Sequence, residues 1–222
     1  MTNKIAIFDV DGTLIDSQSQ QLFLKYMRRK NLINFIAYFR IMVWFILYKL
    51  GLIKNPKEIM DYAFSFLNSF EDERISKLVN DFFTNDLKAH LFPDAVALVK
   101  KHQENGDQVF LVSNALEYIV KEIGRYLNID IDNCIGTKLE VKDGLLTGHI
   151  LGDMVYSSNK ITVIRSAFER NQVVPEETWG YSDHISDIEL LKFVDHPTAV
   201  NPDRQLKEEF ETRGWPIVQF KL

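Results

Sequence analysis

The sequence predicts an α/β fold: a parallel sheet covered by helices on both faces, with an all-helical insertion and an appended β-hairpin. Three observations predict it. Strand-length apolar runs alternate with segments of helical periodicity along most of the chain. The stretch 17–89 interrupts that alternation and contains no strand-like run. The segment "TKLEVKDGLLTGHIL" (137–151) alternates polar and apolar residues on either side of Lys-Asp-Gly, as a hairpin does.

The elements follow in order. "KIAIFD" (4–9) is the first strand, buried on both faces by its unbroken apolar run. Residues 17–89 then read as four helices, near 18–30, 33–50, 56–69 and 72–88, and form a separate cap domain. The remaining core, 1–16 plus 90–222, resumes with a helix that starts after Pro93 and stops near Gly106. "QVFLVS" (108–113) is a strand ending at Ser113, followed by a helix to about Leu127. "NCIG" (133–136) is a short strand, and the hairpin comes next. A helix capped by Ser157-Ser158-Asn159 leads to the strand "TWGYS" (178–182), a helix from Ser186, and "PTAV" (197–200). The last helix begins after Asp203 and ends before Gly214, ahead of "PIVQF" (216–220).

Composition narrows the function. With 222 residues, 46% hydrophobic and 26% charged, the chain is an ordinary globular one rather than a disordered one. A net charge of −5 argues against nucleic acid as partner. The single cysteine, Cys134, rules out an intrachain disulfide and argues against structural zinc. No secretory leader pattern is visible, so a cytoplasmic location is expected. The stretch 32–53 is apolar enough to resemble a membrane span. A span there would strand the first strand on the wrong side of the bilayer from the others, so the chain is expected not to cross. The stretch then serves as cap core, as a membrane-contacting face, as a pocket for an amphiphilic substrate, or as a homodimer interface.

Ligands of open α/β sheets bind beyond the carboxyl ends of the strands, and polar residues gather there. Asp9 and Asp11 end the first strand, on the same side by period-two geometry, with Gly12 permitting the sharp departure. Ser113, with Asn114 behind it, sits at a helix start that suits an anion. Lys160 occupies the positive first turn of a helix, which hints at an anion nearby. Asp183 and Asp187, four apart in "SDHISD", would align on a helical turn and suit Mg2+ beside Asp9. Taken singly, each is equally a turn, an N-cap or a solvated lysine. Together they form one apparatus. A carboxylate attacking a phosphate dianion meets about 4 kcal/mol of repulsion per charge pair at 4 Å and an effective dielectric of ~20. Mg2+ on Asp9 and Asp183, with Lys160 and Ser113 on the phosphoryl oxygens, cancels that repulsion. Asp9 then acts as nucleophile and Asp11 as acid and base.

"DVDGT", Ser113, Lys160 and "SDHISD" resemble, in order, the four motifs of the haloacid dehalogenase superfamily, whose core is a Rossmann-like parallel sheet. The likeness covers essentially the whole chain. The helical insertion, the hairpin and the tail "AVNPDRQLKEEF" resemble the HAD-IB hydrolases of the phosphoserine phosphatase branch. The resemblance implies Asp9 as nucleophile and metal ligand, Asp11 as acid/base with its backbone carbonyl on Mg2+, and Ser113 and Lys160 on phosphate. It further implies Asp183 on the metal and Asp187 on the metal's water shell. Phosphoserine phosphatases usually carry a carboxylate at the position of Gln18 and a glycine at that of Asn114. A neutral Gln18 cannot pair with a substrate ammonium; Asp16 is the nearby carboxylate that could, and His184 is a further substrate candidate.

The expected activity is Mg2+-dependent hydrolysis of a small phosphomonoester. A phosphomutase or phosphotransferase would share every catalytic residue, and a non-catalytic membrane-surface or partner-binding module would use the apolar cap alone. A phospho-accepting receiver domain does not fit, because its paired acids are adjacent and its acceptor lies on a later strand.

Overall fold

The computed structural model describes residues 3–49 and 61–222. Six parallel strands form the main sheet: β1 (Lys4–Phe8), β2 (Gln108–Leu116), β3 (Cys134–Thr137), β6 (Glu177–Ser182), β7 (His196–Val200) and β8 (Ile217–Val218). Their spatial order is β3-β2-β1-β6-β7-β8. The chain reverses direction of travel across the sheet between β1 and β6, which opens a crevice at their carboxyl ends. β1 is central, and its alternate residues serve two cores. Ile5 and Ile7 pack with Phe110, Ile164 and Phe168 on one face. Ala6 and Phe8 face the larger cluster on the other.

Helices α4 (Pro93–Glu104), α5 (Glu117–Tyr126), α6 (Asn159–Arg170), α7 (Ile188–Phe193) and α8 (Arg204–Arg213) follow the expected alternation. Pro93 opens α4 at a position with no hydrogen bond to lose. Asp203 caps α8 by accepting from the Leu206 amide at 2.7 Å, and Gly214 ends it at φ +67°. Two expected boundaries differ. β2 does not end at Ser113 but continues through a register shift to Leu116, because β3 offers it a partner as far as Thr137. The Ser157–Asn159 segment does not cap α6 through a side chain; Ser157 at φ 53° turns the chain and backbone bonds start the helix.

Between β1 and α4 lie α1 (Ser19–Arg29), α2 (Phe35–Lys49) and α3 (Asp72–Asn85). Residues 61–64 are helical and run into a 3-10 turn, Ser65–Leu67. Residues 56–60 of the helix expected at 56–69, and 50–53 of the apolar stretch, lie outside the described residues. No helix among the described residues is long and apolar enough to cross a membrane. α3 packs on α5, where the Tyr118 hydroxyl donates to Asp72 and Asn80 Nδ2 donates to Glu122 at 2.7 Å. The hairpin, β4 (Leu139–Lys142) and β5 (Leu145–Ile150), forms a separate two-stranded sheet. Asp143 and Gly144 both have positive φ, as a tight two-residue turn requires. β5 bonds back to residues 69–70: the Ser69 amide donates to the Leu146 carbonyl and the Leu146 amide to the Phe70 carbonyl, both at 2.8 Å. Hairpin, α3 and α5 thus hold the insertion against the sheet.

Candidate active site

Strand alternation places the first carboxylate. Asp9 follows Phe8 and falls on the Ile5–Ile7 face, the one that α6 covers. Lys160, in the first turn of α6, therefore meets it, with Nζ 2.7 Å from Asp9 Oδ1. The same ammonium lies 2.7 Å from Asp187 Oδ2, which also accepts from the Ser182 hydroxyl at 2.6 Å. All three charged groups are buried, Asp9 at 7%, Lys160 at 3% and Asp187 at 2% exposure. Lys160 is the bridge of the site.

The chain leaves β1 in a tight turn. The Val10 carbonyl accepts from the amides of Thr13, Leu14 and Ile15, and the Gly12 amide donates to Ile15 at 2.8 Å. Asp11 is thus placed by the turn, not by strand periodicity as expected from the sequence. Its Oδ1 accepts from the Ser19 amide at the start of α1, at 3.0 Å. Gly12, at φ +80°, lies under the Asp183 carboxylate so closely that a Cβ would stand 2.0 Å from Asp183 Oδ2. Asp183 is fixed from behind by Asp203, whose amide donates to the Asp183 carbonyl at 2.8 Å. The Asp203 carboxylate accepts from the Ile185 amide at 3.2 Å.

Burial and like charge dominate the electrostatics. Burial pushes the Asp11 carboxyl up to about 7, against the lowering influence of Ser19. Burial, then Asp9 and Asp187, push Asp183 up to about 8. Burial likewise raises Asp9, with Lys160 opposing. Burial alone would lower Lys160, yet Asp187 and Asp9 hold its ammonium above the usual range. Among the described residues, three buried side-chain polar atoms have no hydrogen-bond partner: Thr13 Oγ1, Ser19 Oγ and Asp187 Oδ1. All three belong to this cluster or its rim, where buried polar atoms without partners imply a polar occupant.

The other expected residues are distributed unevenly. Ser113 is buried inside the bulged end of β2, and its hydroxyl accepts from the Ala115 amide at 3.3 Å. It is therefore not at a helix start. The Asn114 carbonyl accepts from Gln20 Nε2 and from the Thr137 hydroxyl, both at 2.9 Å. Gln18 precedes α1 and its side chain makes no cap bond. Asp16 is engaged elsewhere, 2.6 Å from His90 Nδ1 and 2.8 Å from the Ser17 hydroxyl. The His184 ring accepts from the Ser186 amide at 3.1 Å and lies 3.3 Å from Asp203. Ser19, Gln20, Thr137, Ser182 and Asp203 were not singled out by the sequence reading. Two of them carry a local signal: Ser182 stands beside Asp183 at a strand tip, and Asp203 begins a helix as its cap.

No three His, Cys, Asp or Glu side chains among the described residues form a ready-made metal cluster. Asp9 and Asp183, whose carboxyls burial raises and of which Asp9 repels Asp183, are the pair that could hold a hard divalent cation.

Comparison with known proteins adds the family. Residues 6–192 match the family model of haloacid dehalogenase-like hydrolases. A histidinol-phosphatase of Neisseria meningitidis serogroup C (strain 8013) is 30% identical over 228 residues, covering 98% of this chain and 99% of that one. A Bordetella pertussis Tohama I protein of unknown function has the same fold, with a TM-score of 0.90 at 24% identity, covering 98% and 99% of the two chains. A phosphoserine phosphatase solved as a phospho-aspartyl intermediate analogue gives 0.65 at 20% identity, over 98% of this chain and 93% of that one.

Proposed function

The chain belongs to the haloacid dehalogenase-like hydrolase family as a phosphatase, and on that premise we propose that it is a Mg2+-dependent phosphomonoesterase with Asp9 as nucleophile. The observation that carries this reading is the buried Lys160 bridge, 2.7 Å from both Asp9 and Asp187. A cation kept dry beside a carboxylate at the sheet's crevice is an arrangement for neutralising an anion, not for stability alone.

An Asp9 oxygen attacks phosphorus and the ester P–O bond breaks, leaving the phosphoryl group on Asp9. Asp11 gives its proton to the departing alkoxide. The alcohol leaves, and Asp11, now a carboxylate, takes a proton from water as that water attacks phosphorus and releases phosphate. A carboxyl pushed up to about 7 can do both tasks near neutral pH. Lys160 and Ser113 hold phosphoryl oxygens, and the Asn114 backbone, braced by Gln20 and Thr137, shapes that side. Mg2+, held by Asp9, Asp183 and the Asp11 carbonyl, supplies positive charge against the phosphoryl oxygens when bound. The donor set fits it: oxygen ligands, and an Asp183 raised by burial and then by the Asp9 and Asp187 carboxylates, whose repulsion a cation would relieve. Asp187, with Oδ1 unpartnered, is available to the cation's water shell.

Residues 17–89 act as the cap over this site and the rest as the catalytic core, in a cytoplasmic enzyme. The substrate is a small phosphomonoester. Histidinol phosphate is the first compound to test, given the Neisseria relative. Gln18 supplies no charge for a substrate ammonium, and Asp16 is already paired with His90. The test is hydrolysis of an aryl phosphate with and without Mg2+, by the wild type and Asp9→Asn. The reading expects metal-dependent turnover that the variant lacks; equal rates in both would sink it.

A further inference from the structure

We infer that the α1–α2 hairpin is a docking surface for an anionic lipid bilayer. α2 turns one apolar face outward: Phe35 is 63% exposed, Ile36 71%, Phe39 57% and Ile46 55%. These are four of the ten exposed large hydrophobic residues described, and they share one element. Phe35, Phe39 and Ile46 fall within a narrow arc at helical spacing, with Ile36 at its edge. Phe35 and Phe39 stack at 6.3 Å. The opposite face, carrying Ile41 and Tyr38, packs into the core, so the outward face is not left over from misplaced core. With one face held against the core and the other exposed, α2 has the two-sided profile of an amphipathic surface helix. Such a helix lies along an interface rather than across it.

Charge decides what the interface is. Residues 17–49 contain Lys25, Arg28, Arg29, Lys30, Arg40 and Lys49 and no acidic residue, in a chain whose net charge is −5. Arg29 and Lys30 are taken up by Asp86 and Asp81. Lys25, Arg28 and Arg40 have no carboxylate partner among the described residues. Arg28 lies over the Phe35 ring at 6.0 Å, and Arg40 follows Ile36 by one turn, so positive charge rims the apolar face. Aromatic and aliphatic side chains bordered by cations that no carboxylate among the described residues neutralises match the acyl–headgroup boundary of a leaflet rich in acidic lipid. A second copy of the chain is disfavoured, since a two-fold interface on this face would bring two cation-rimmed patches together with no acidic residue within 17–49 to pair them. The inference is independent of the catalytic reading.

The test is co-sedimentation of the whole protein with vesicles of phosphatidylcholine alone and of phosphatidylcholine mixed with phosphatidylglycerol. Binding to the mixed vesicles is expected to exceed binding to the neutral ones at least about tenfold, and to fall in about 0.5 M salt. Phe35→Asp with Phe39→Asp should weaken it about tenfold or more. Arg28→Gln and Arg40→Gln should each weaken it about fivefold. Thermal melting unchanged in all three variants shows that they are folded. No binding by the wild type, equal binding by the aspartate variant, or a homodimer that the aspartates dissociate would each overturn the inference.

Discussion

Replacing Gly12 by alanine tests how the turn after β1 positions Asp183. A Cβ at residue 12 would lie 2.0 Å from Asp183 Oδ2 and 2.4 Å from its Cγ. Ordinary contact needs about 3.5 Å, so the carboxylate must retreat by more than about 1 Å. A displacement of that size at a catalytic constellation lowers rate by about a hundredfold. The substitution also places a side chain at φ +80°, which costs about 1–2 kcal/mol. Gly144→Ala separates the two effects: Gly144 has φ +77° and nothing within 4 Å of the added Cβ. Both variants should lose similar stability in urea melts. Only Gly12→Ala should lose about a hundredfold in kcat/KM and require more Mg2+ for half-maximal activity. If Gly12→Ala keeps activity within about threefold of Gly144→Ala, Asp183 does not need its present position and the metal assignment is wrong.

Lys160→Met leaves two buried carboxylates without their shared cation, and should destabilise the metal-free protein by about 3–5 kcal/mol besides abolishing turnover; unchanged melting would contradict the bridge. Asp11→Asn tests pH linkage. A carboxyl raised from 3.8 to about 7 binds its proton more tightly when folded, so its cost to stability is absent below pH ~4 and complete above about 7. In metal-free buffer at pH 8 the variant should therefore be more stable than wild type by about 1–2 kcal/mol, allowing for partial solvent exposure, and equal to it at pH 3; a pH-independent difference refutes the assignment. Thr137→Val removes the hydroxyl bond to the Asn114 carbonyl and should cost about 1–2 kcal/mol, with KM rising more than kcat falls. An unaltered KM would mean that Asn114 does not shape the phosphate side.

The strands and the charged core of the site were legible because local chemistry determines them. An apolar run must stop where Asp9 begins, Asp203 and Gly214 bracket α8 by capping alone, and Asp143-Gly144 can form little but a tight turn. Lys160 was legible because a lysine at a helix start needs an anion. What escaped depends on contacts between distant segments. Gln20 and Asn114 are 94 residues apart, and Thr137 and Asn114 are 23 apart; neither polar side chain differs in sequence from a solvated one. The extension of β2 past Ser113 depends on β3 lying alongside. Asp203 was readable as a cap, yet its second task of bracing the Asp183 loop appears only once β7 lies beside β6. The outward face of α2 was ambiguous for the same reason: a uniformly apolar segment does not say which side is buried.

The most direct measurement is on Asp9 itself. The enzyme is mixed with aryl phosphate and Mg2+, quenched in acid during turnover, and its peptides are weighed. The expected result is one added phosphoryl group on Asp9, absent from Asp9→Asn, which also fails to turn over. A phosphoryl group on another residue, or an Asp9→Asn variant that hydrolyses substrate at the wild-type rate, would contradict Asp9 as nucleophile.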